Sequence, residues 1–361
     1  MSWEIFQKRK EIFVVAPELR IGNRTAYFRK AICTPDYKSE RVLARDAFQF
    51  AELWLKRNCT EALPYWSQAH AYYLGSQDLP PHSAPLTCYY CFLNAVKALL
   101  IVKGQVFAER HGVGGTFEAS KRALRNEIIH ISGGGVIGAL STYLKENGGS
   151  DHTLTEILSN LPFIHRAFRF TFKSHPELFI PLRNVIYRIH PTSEYIWVSA
   201  TVEGRFADNR SLRTLPTGFE KDDGYTDRCV IRSKQRVKWF DRNASNTDQE
   251  AARHRLHEYH RRLRRDLVFI SASPDLWYLK RKVSGATRLN RYSMTLIFAA
   301  MHRLSELSRY DPKGLMRYLD GKENWLLTEF VELAPAQFID ELVCEMTSLE
   351  FALRGIRPRS T

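Results

Sequence analysis

The hydrophobic pattern of this chain changes period twice, which restricts it to folds that mix helices with an antiparallel sheet. Up to about residue 160 the apolar residues recur at helical spacing. "ERVLARDAFQFAELWLKRN" sets Val42, Leu43, Ala47, Phe50, Leu53 and Trp54 along one face. "EALPYWSQAHAYYLGS" predicts an aromatic-rich helix ending near Gly75, and "QDLPPHSAP" a proline-rich loop. "LTCYYCFLNAVKALLIVKG" predicts the strongest helix. Tyr89, Phe92, Leu93, Val96, Leu99 and Leu100 form its broad apolar face, and Gly104 stands at the C-cap position.

Between 180 and 240 the period drops to two. "NVIYRIHP", "SEYIWVSATVEGRF" and "DRCVIRSKQRVKWF" alternate apolar and polar residues, with many β-branched and aromatic side chains, and read as antiparallel strands. From about 247 the helical period returns. "DQEAARHRLHEYHRRLRRDL" has a seam at Leu256, Tyr259, Leu263 and Leu267. "YSMTLIFAAMHRLSELSRYDP" stops at Pro312, and "LLTEFVEL" and "AQFIDELVCEMTSLEFAL" predict two more helices. The expected fold is α+β: a mainly helical bundle built from 1–160 and 246–361, with a β-rich antiparallel segment at 161–245.

The chain has 361 residues, enough for two domains or one composite domain with a real core. Six irregularly spaced cysteines make no disulfide framework. No apolar run reaches ~18 residues, the length of a membrane-spanning helix. "MSWEIFQKRKEIF" lacks the apolar core of a signal peptide. A cytoplasmic location and no membrane partner are therefore expected. Lys and Arg total 53 against 39 Asp and Glu, a net charge of +14. That excess suits a phosphate polymer, and equally an acidic protein partner.

"PLTCYYCFLNAVKALLIVKG" followed by "RHGV" resembles the YaaC-like family of bacterial proteins. The matching residues are Pro85, Leu86, Tyr89, Tyr90, Phe92, Asn94, Lys97, Ala98, Leu99, His111 and Gly112. "HRLSELSRYDPKGLMRYL" and "LLTEFVELAPAQFIDELVCEM" resemble that family's Leu-Ser-Arg-Tyr-x-Pro segment and the helices after it. The family has no firmly assigned activity. The Tyr-Tyr-x-Phe-x-Asn-x-x-Lys-Ala-Leu helix is also similar to the central helix of HEPN domains. That second resemblance implies a HEPN-like bundle, often dimeric, and a link to metal-independent ribonucleases of defence and toxin systems.

The HEPN resemblance directs attention to "LRNEIIHISGGG". Arg125 and His130 have the Arg-x4-6-His spacing of those nucleases, where histidine serves as general base or acid and arginine stabilises the phosphorane-like charge. Such a motif requires a helix. The same letters also read as a strand, Ile128 to Ser132, entering a glycine turn. His111 is a further candidate, with Gly114 and Gly115 allowing a phosphate close to the backbone; its alternative is a helix cap. Lys97 lies on the less apolar side of a buried helix and suits either a phosphate or a carboxylate partner.

"RHRLHEYHRRLRRD" carries Arg253, Arg255, Arg261, Arg262, Arg264 and Arg265, either a phosphate-tracking surface or a solvated face. His257 and His260 lack companion ligands, and Cys88-x2-Cys91 stands alone, so no metal site is expected. The glycine-rich stretches lack the Gly-Lys-Ser/Thr of a P-loop, and no cofactor is expected. Two functions follow as expectations. One is an RNA-binding or RNA-cleaving protein; the other is a non-catalytic subunit of a larger complex, with a protein partner or homodimer. A third, a small-ligand pocket between bundle and β segment, has no residue to single it out.

Overall fold

The computed structural model describes residues 16–118, 122–240, 244–271 and 276–353. Strands β1 (Arg20–Ile21) and β2 (Arg24–Thr25) form a small hairpin, followed by β3 (Val42–Ala44). Helix α1 (Ala47–Asn58) starts where the Asp46 carboxylate accepts a hydrogen bond from the Gln49 amide, and Lys56 and Arg57 lie at its C-terminal end. Val42 and Leu43 are thus strand residues, not the start of the predicted helix. The buried side of α1 is Phe48, Ala51 and Leu55, while Leu53 is exposed. Helices α2 (Leu63–Ser76) and α3 (Ala84–Val102) follow. Gly104 ends the run at φ +62°, the left-handed conformation that closes a helix without Cβ strain. By length and hydropathy α3 matches a membrane span, but 72% of that window is buried inside the protein, as in a core helix.

Next come β4 (Val113–Phe117), β5 (Glu127–Ile131), α4 (Gly135–Tyr143) and β6 (Ser150–Thr153), with the strands paired antiparallel in the order β4-β5-β6. Thr153 and Glu156 form a reciprocal capping box that starts α5 (Leu154–Ser159). A 3-10 turn at Pro162–Ile164 leads into α6 (His165–Thr171).

The second layer is a sheet of β7 (Phe179–Ile189), β8 (Tyr195–Val202), β9 (Phe219–Lys221), β10 (Val230–Ser233), β11 (Val237–Lys238), β12 (Leu267–Ile270) and β13 (Leu276–Lys280). Its order is β12-β13-β7-β8-β10-β9, with β11 also on β8, and every pair is antiparallel. A bulge between Arg183 and Ile186 contains Asn184 at φ +51° and bends β7. The sheet curls into half a barrel. The short helix α7 (Asn209–Leu212) sits in one connection. Helix α8 (Asn246–Leu263) lays Ala252, Leu256, Tyr259 and Leu263 into the sheet's own core, against Ile196, Val198 and Tyr187. Burying each such large apolar side chain contributes about 1.5–3 kcal/mol.

The chain then returns to the helical layer. Helices α9 (Ser293–Tyr310) and α11 (Asn324–Thr347) pack with α3, α10 (Pro312–Leu319) packs on α9 and α11, and β14 (Phe351–Leu353) pairs parallel with β3. Where two helices were expected, α11 is continuous through Pro335.

The expected HEPN-like, mainly helical bundle is not what this chain forms. The fold is α+β with 46% helix and 19% strand. The strands are not decoration, because the sheet has its own apolar core, separate from the helical one. The misreading has a physical cause. Strands β12 and β13 sit between long helices, and β4 to β6 lie inside the region read as helical, all too short to impose a clear period. Among the described residues, ion pairs and buried polar groups join the layers: Lys30 Nζ lies 3.1 Å from Asp340, and the Arg264 guanidinium donates to the carbonyls of Lys30 and Leu267.

Candidate functional site

The Arg125–His130 pair does not share a helix. Arg125 lies exposed in a single 3-10 turn, Leu124–Asn126, and His130 is on β5. Strand alternation sends Glu127, Ile129 and Ile131 inward and leaves His130 on the more open face. Both its ring nitrogens are engaged across the sheet. Nε2 is 2.9 Å from Thr116 Oγ1, and Nδ1 is 2.9 Å from Asp151 Oδ1. His130 serves as a cross-strand tie.

His111 is hydrogen-bonded through Nδ1 to the Tyr89 hydroxyl, and the His302 ring lies edge-on to the same tyrosine at 4.8 Å. Burial and the Arg309 and Lys97 charges pull the His111 pKa below its ordinary value. The glycines nearby hold backbones together instead of cradling an anion. The Val136 and Ile137 amides at the start of α4 donate to the Arg110 and His111 carbonyls, so those donors are already used. Gly115 lies against the Arg303 side chain. Lys97 is buried and paired with Glu109, with its ammonium 5.3 Å from the Tyr65 ring centre.

The arginines of 253–265 do not form one cationic face. Arg261 and Arg264 are buried, the first paired with Glu258 and the second bonded to backbone carbonyls. Arg265 donates to the Lys145 carbonyl. Arg255 donates to the Lys238 carbonyl, Arg262 to the Glu258 carbonyl and Arg253 to the Gln249 side chain. His260 is fully buried between the Ala31 carbonyl and the Tyr187 hydroxyl. Among the described residues no three His, Cys, Asp or Glu side chains converge as metal ligands, and all six cysteines are free.

A different set of residues does converge. The first residue of α6, His165, meets Phe179 and Tyr278 of the sheet, and beside this contact opens a cavity of about 590 Å³. It is lined by His165, Arg166, Arg169, Phe170 and Lys173 from α6 and just beyond it. Glu177, Phe179 and Pro181 come from the start of β7, Arg205 and Phe206 from the 204–206 turn, and Tyr278 from β13. Four cationic side chains face one carboxylate, a local excess of three positive charges with His165 neutral. Among the described residues Arg166 and Lys173 have no hydrogen-bond or ion-pair partner. Arg205 is 78% exposed, 3.6 Å from Glu177 and 4.9 Å above the Phe206 ring. Arg169 is held by the His175 carbonyl. Phe170 is 64% exposed at the mouth, where Trp325 meets it at 5.1 Å.

The inner wall is ordered. His165 Nδ1 lies 2.5 Å from the Pro162 carbonyl oxygen, and its ring rests on Phe179 and Tyr278 at 5.8 and 5.4 Å. Burial lifts the Tyr278 phenol above its ordinary pKa, and burial also raises the Glu329 carboxyl nearby on α11. Sequence reasoning passed over this site although "HRAFRFTFK" interleaves cations with aromatic residues, the composition of a nucleic-acid surface.

These features define a two-layered α+β protein with a cationic, aromatic-walled cleft where its helical layer meets its sheet. The chain belongs to the YaaC-like protein family, whose model matches residues 26–346. No curated protein and no solved structure matches it, and nothing supports the HEPN resemblance.

Proposed function

We propose that this protein binds single-stranded nucleic acid, RNA foremost, in the cleft between α6 and the sheet. One observation carries the reading: Arg166 and Lys173, cations without a partner among the described residues, stand beside aromatic rings in a cavity of about 590 Å³. Pockets for small ligands run to about 300–1,000 Å³, so one or two nucleotides fit. Arg166, Lys173 and Arg205 would meet phosphate oxygens. Phe170, Phe206 and Tyr278 offer faces for bases, and such stacking contributes about 1–3 kcal/mol per base. The +14 net charge would speed the encounter.

Anisotropy of a labelled single-stranded oligoribonucleotide tests the idea. Wild type should bind, more weakly as salt rises from about 50 to about 200 mM. Arg166→Glu and Phe170→Ala should each weaken binding at least tenfold. Unchanged affinity in both variants would remove the cleft as the site.

A further inference from the structure

The cleft contains a histidine arranged as a base. A carbonyl oxygen can only accept, so the 2.5 Å contact with Pro162 requires that His165 Nδ1 carry the proton. In the neutral ring this leaves the lone pair on Nε2. Nε2 makes no hydrogen bond among the described residues. Glu177 Oε1 stands 3.9 Å from it, beyond hydrogen-bond reach, and that oxygen is itself buried without a partner. Phe179 and Tyr278 flank the ring and keep it from turning away. A positioned base, a fixed tautomer and a bordering carboxylate are the parts a proton-abstracting site needs.

We propose that His165 and Tyr278 make the cleft a metal-independent RNA-cleaving site, an inference that rests on the nucleic-acid reading above. His165 Nε2 takes the proton of a ribose 2′-hydroxyl. The 2′-oxygen forms a bond to the adjacent phosphorus, and the bond from phosphorus to the 5′-oxygen breaks. The departing 5′-oxygen takes the proton of the Tyr278 hydroxyl. The products are a 2′,3′-cyclic phosphate and a 5′-hydroxyl, and the imidazolium returns its proton to the tyrosinate through solvent. No oxidant or metal enters.

The surroundings suit each charge. Glu177 Oε1 lies 3.9 Å from the ring, a negative charge beside the imidazolium as it forms. Tyr278, its pKa raised by burial, keeps its proton at neutral pH, while an alkoxide is a stronger base than its phenolate. Arg166, Lys173 and Arg205 line the same cleft and would meet the negative charge that builds on the phosphorane.

The test uses the purified full chain in EDTA, an oligoribonucleotide, and the same strand built from 2′-deoxyribose. Wild type should cut the ribose strand to cyclic-phosphate and 5′-hydroxyl ends, and bind the deoxyribose strand without cutting it. His165→Asn and Tyr278→Phe, prepared in parallel, should lower the cleavage rate at saturating RNA by ~10²- to 10⁴-fold, a loss in kcat and not in KM. Wild type that binds RNA and leaves it whole overturns the inference while the binding proposal stands. So does cutting at the wild-type rate by His165→Asn. Absence of binding overturns both.

Discussion

Gly112 presses against the backbone of Gly134 so closely that a methyl group added at residue 112 would lie 2.1 Å from the Gly134 carbonyl oxygen. Gly112 also has φ +78°, a region that costs other residues about 1–2 kcal/mol. Gly112→Ala should therefore lose at least that much, with the clash adding more, because the carbonyl belongs to the start of α4 and cannot swing aside. Thermal unfolding measures it, and an unchanged Tm would contradict the packing described.

Glu127 is the fully buried centre of a second network. Its carboxylate accepts from Arg303 Nε at 3.1 Å and Nη2 at 2.6 Å, and from the Tyr318 hydroxyl at 2.7 Å. Glu127→Gln removes the fully buried carboxylate and leaves the Arg303 guanidinium only the outer Glu306, an effect of up to about 3–5 kcal/mol. Glu306→Gln removes one outer contact to the same arginine and should cost less. Urea titration of both variants would show the order; equal losses would mean that burial does not set the cost.

Burial pushes the Glu341 carboxyl up to about 7 from 4.5, and among the described residues its Oε2 has no hydrogen-bond partner. The folded state then holds a proton that the unfolded state releases between about pH 4.5 and 7. Stability from this group is complete below that window and is lost as pH rises through it. Glu341→Gln should raise Tm at pH 8, and the gain should shrink as pH falls towards 4.5. A difference constant with pH would rule out Glu341 as the titrating group.

Salt dependence separates the cleft from helix α8. Lys173→Ala and Arg205→Ala should each lower the slope of log affinity against log salt by about 1. Arg253→Ala and Arg262→Ala on α8 should leave it unchanged. The reverse pattern would move the site to α8.

His130→Ala removes two cross-strand contacts at a partly exposed position and should cost at most about 1.5 kcal/mol. Its RNA affinity should equal that of wild type. A loss of cleavage in this variant alone would return chemistry to β5.

The sequence made the long helices legible because α3 and α9 bury most of their circumference and show it in their apolar spacing. It also contained the strand at 127–131, through the β-branched run Ile128, Ile129 and Ile131. It hid β3, since two of its three residues are exposed and its partner lies some 300 positions away. The cleft was illegible for a related reason. Its lining comes from four separate stretches, and only the first, at 165–173, has a local composition that hints at ligand chemistry. Arg264 misled for the opposite reason: it belongs to a run that reads as a cationic surface, yet its charge is buried.

Pairing of β14 with β3 has a consequence for how the protein is made. Residues 351–353 complete a sheet begun at 42–44, and α3 is packed by α9 and α11 from the far end of the chain. A ribosome delivering the N-terminal helices first would leave α3, apolar on nearly every side, without two of the helices that cover it until residues 293–347 had emerged. The curled sheet and α8 between them can close on their own core earlier, so they are the natural first unit to fold. The helical layer has to wait, and during that wait the exposed α3 is the segment a chaperone would hold.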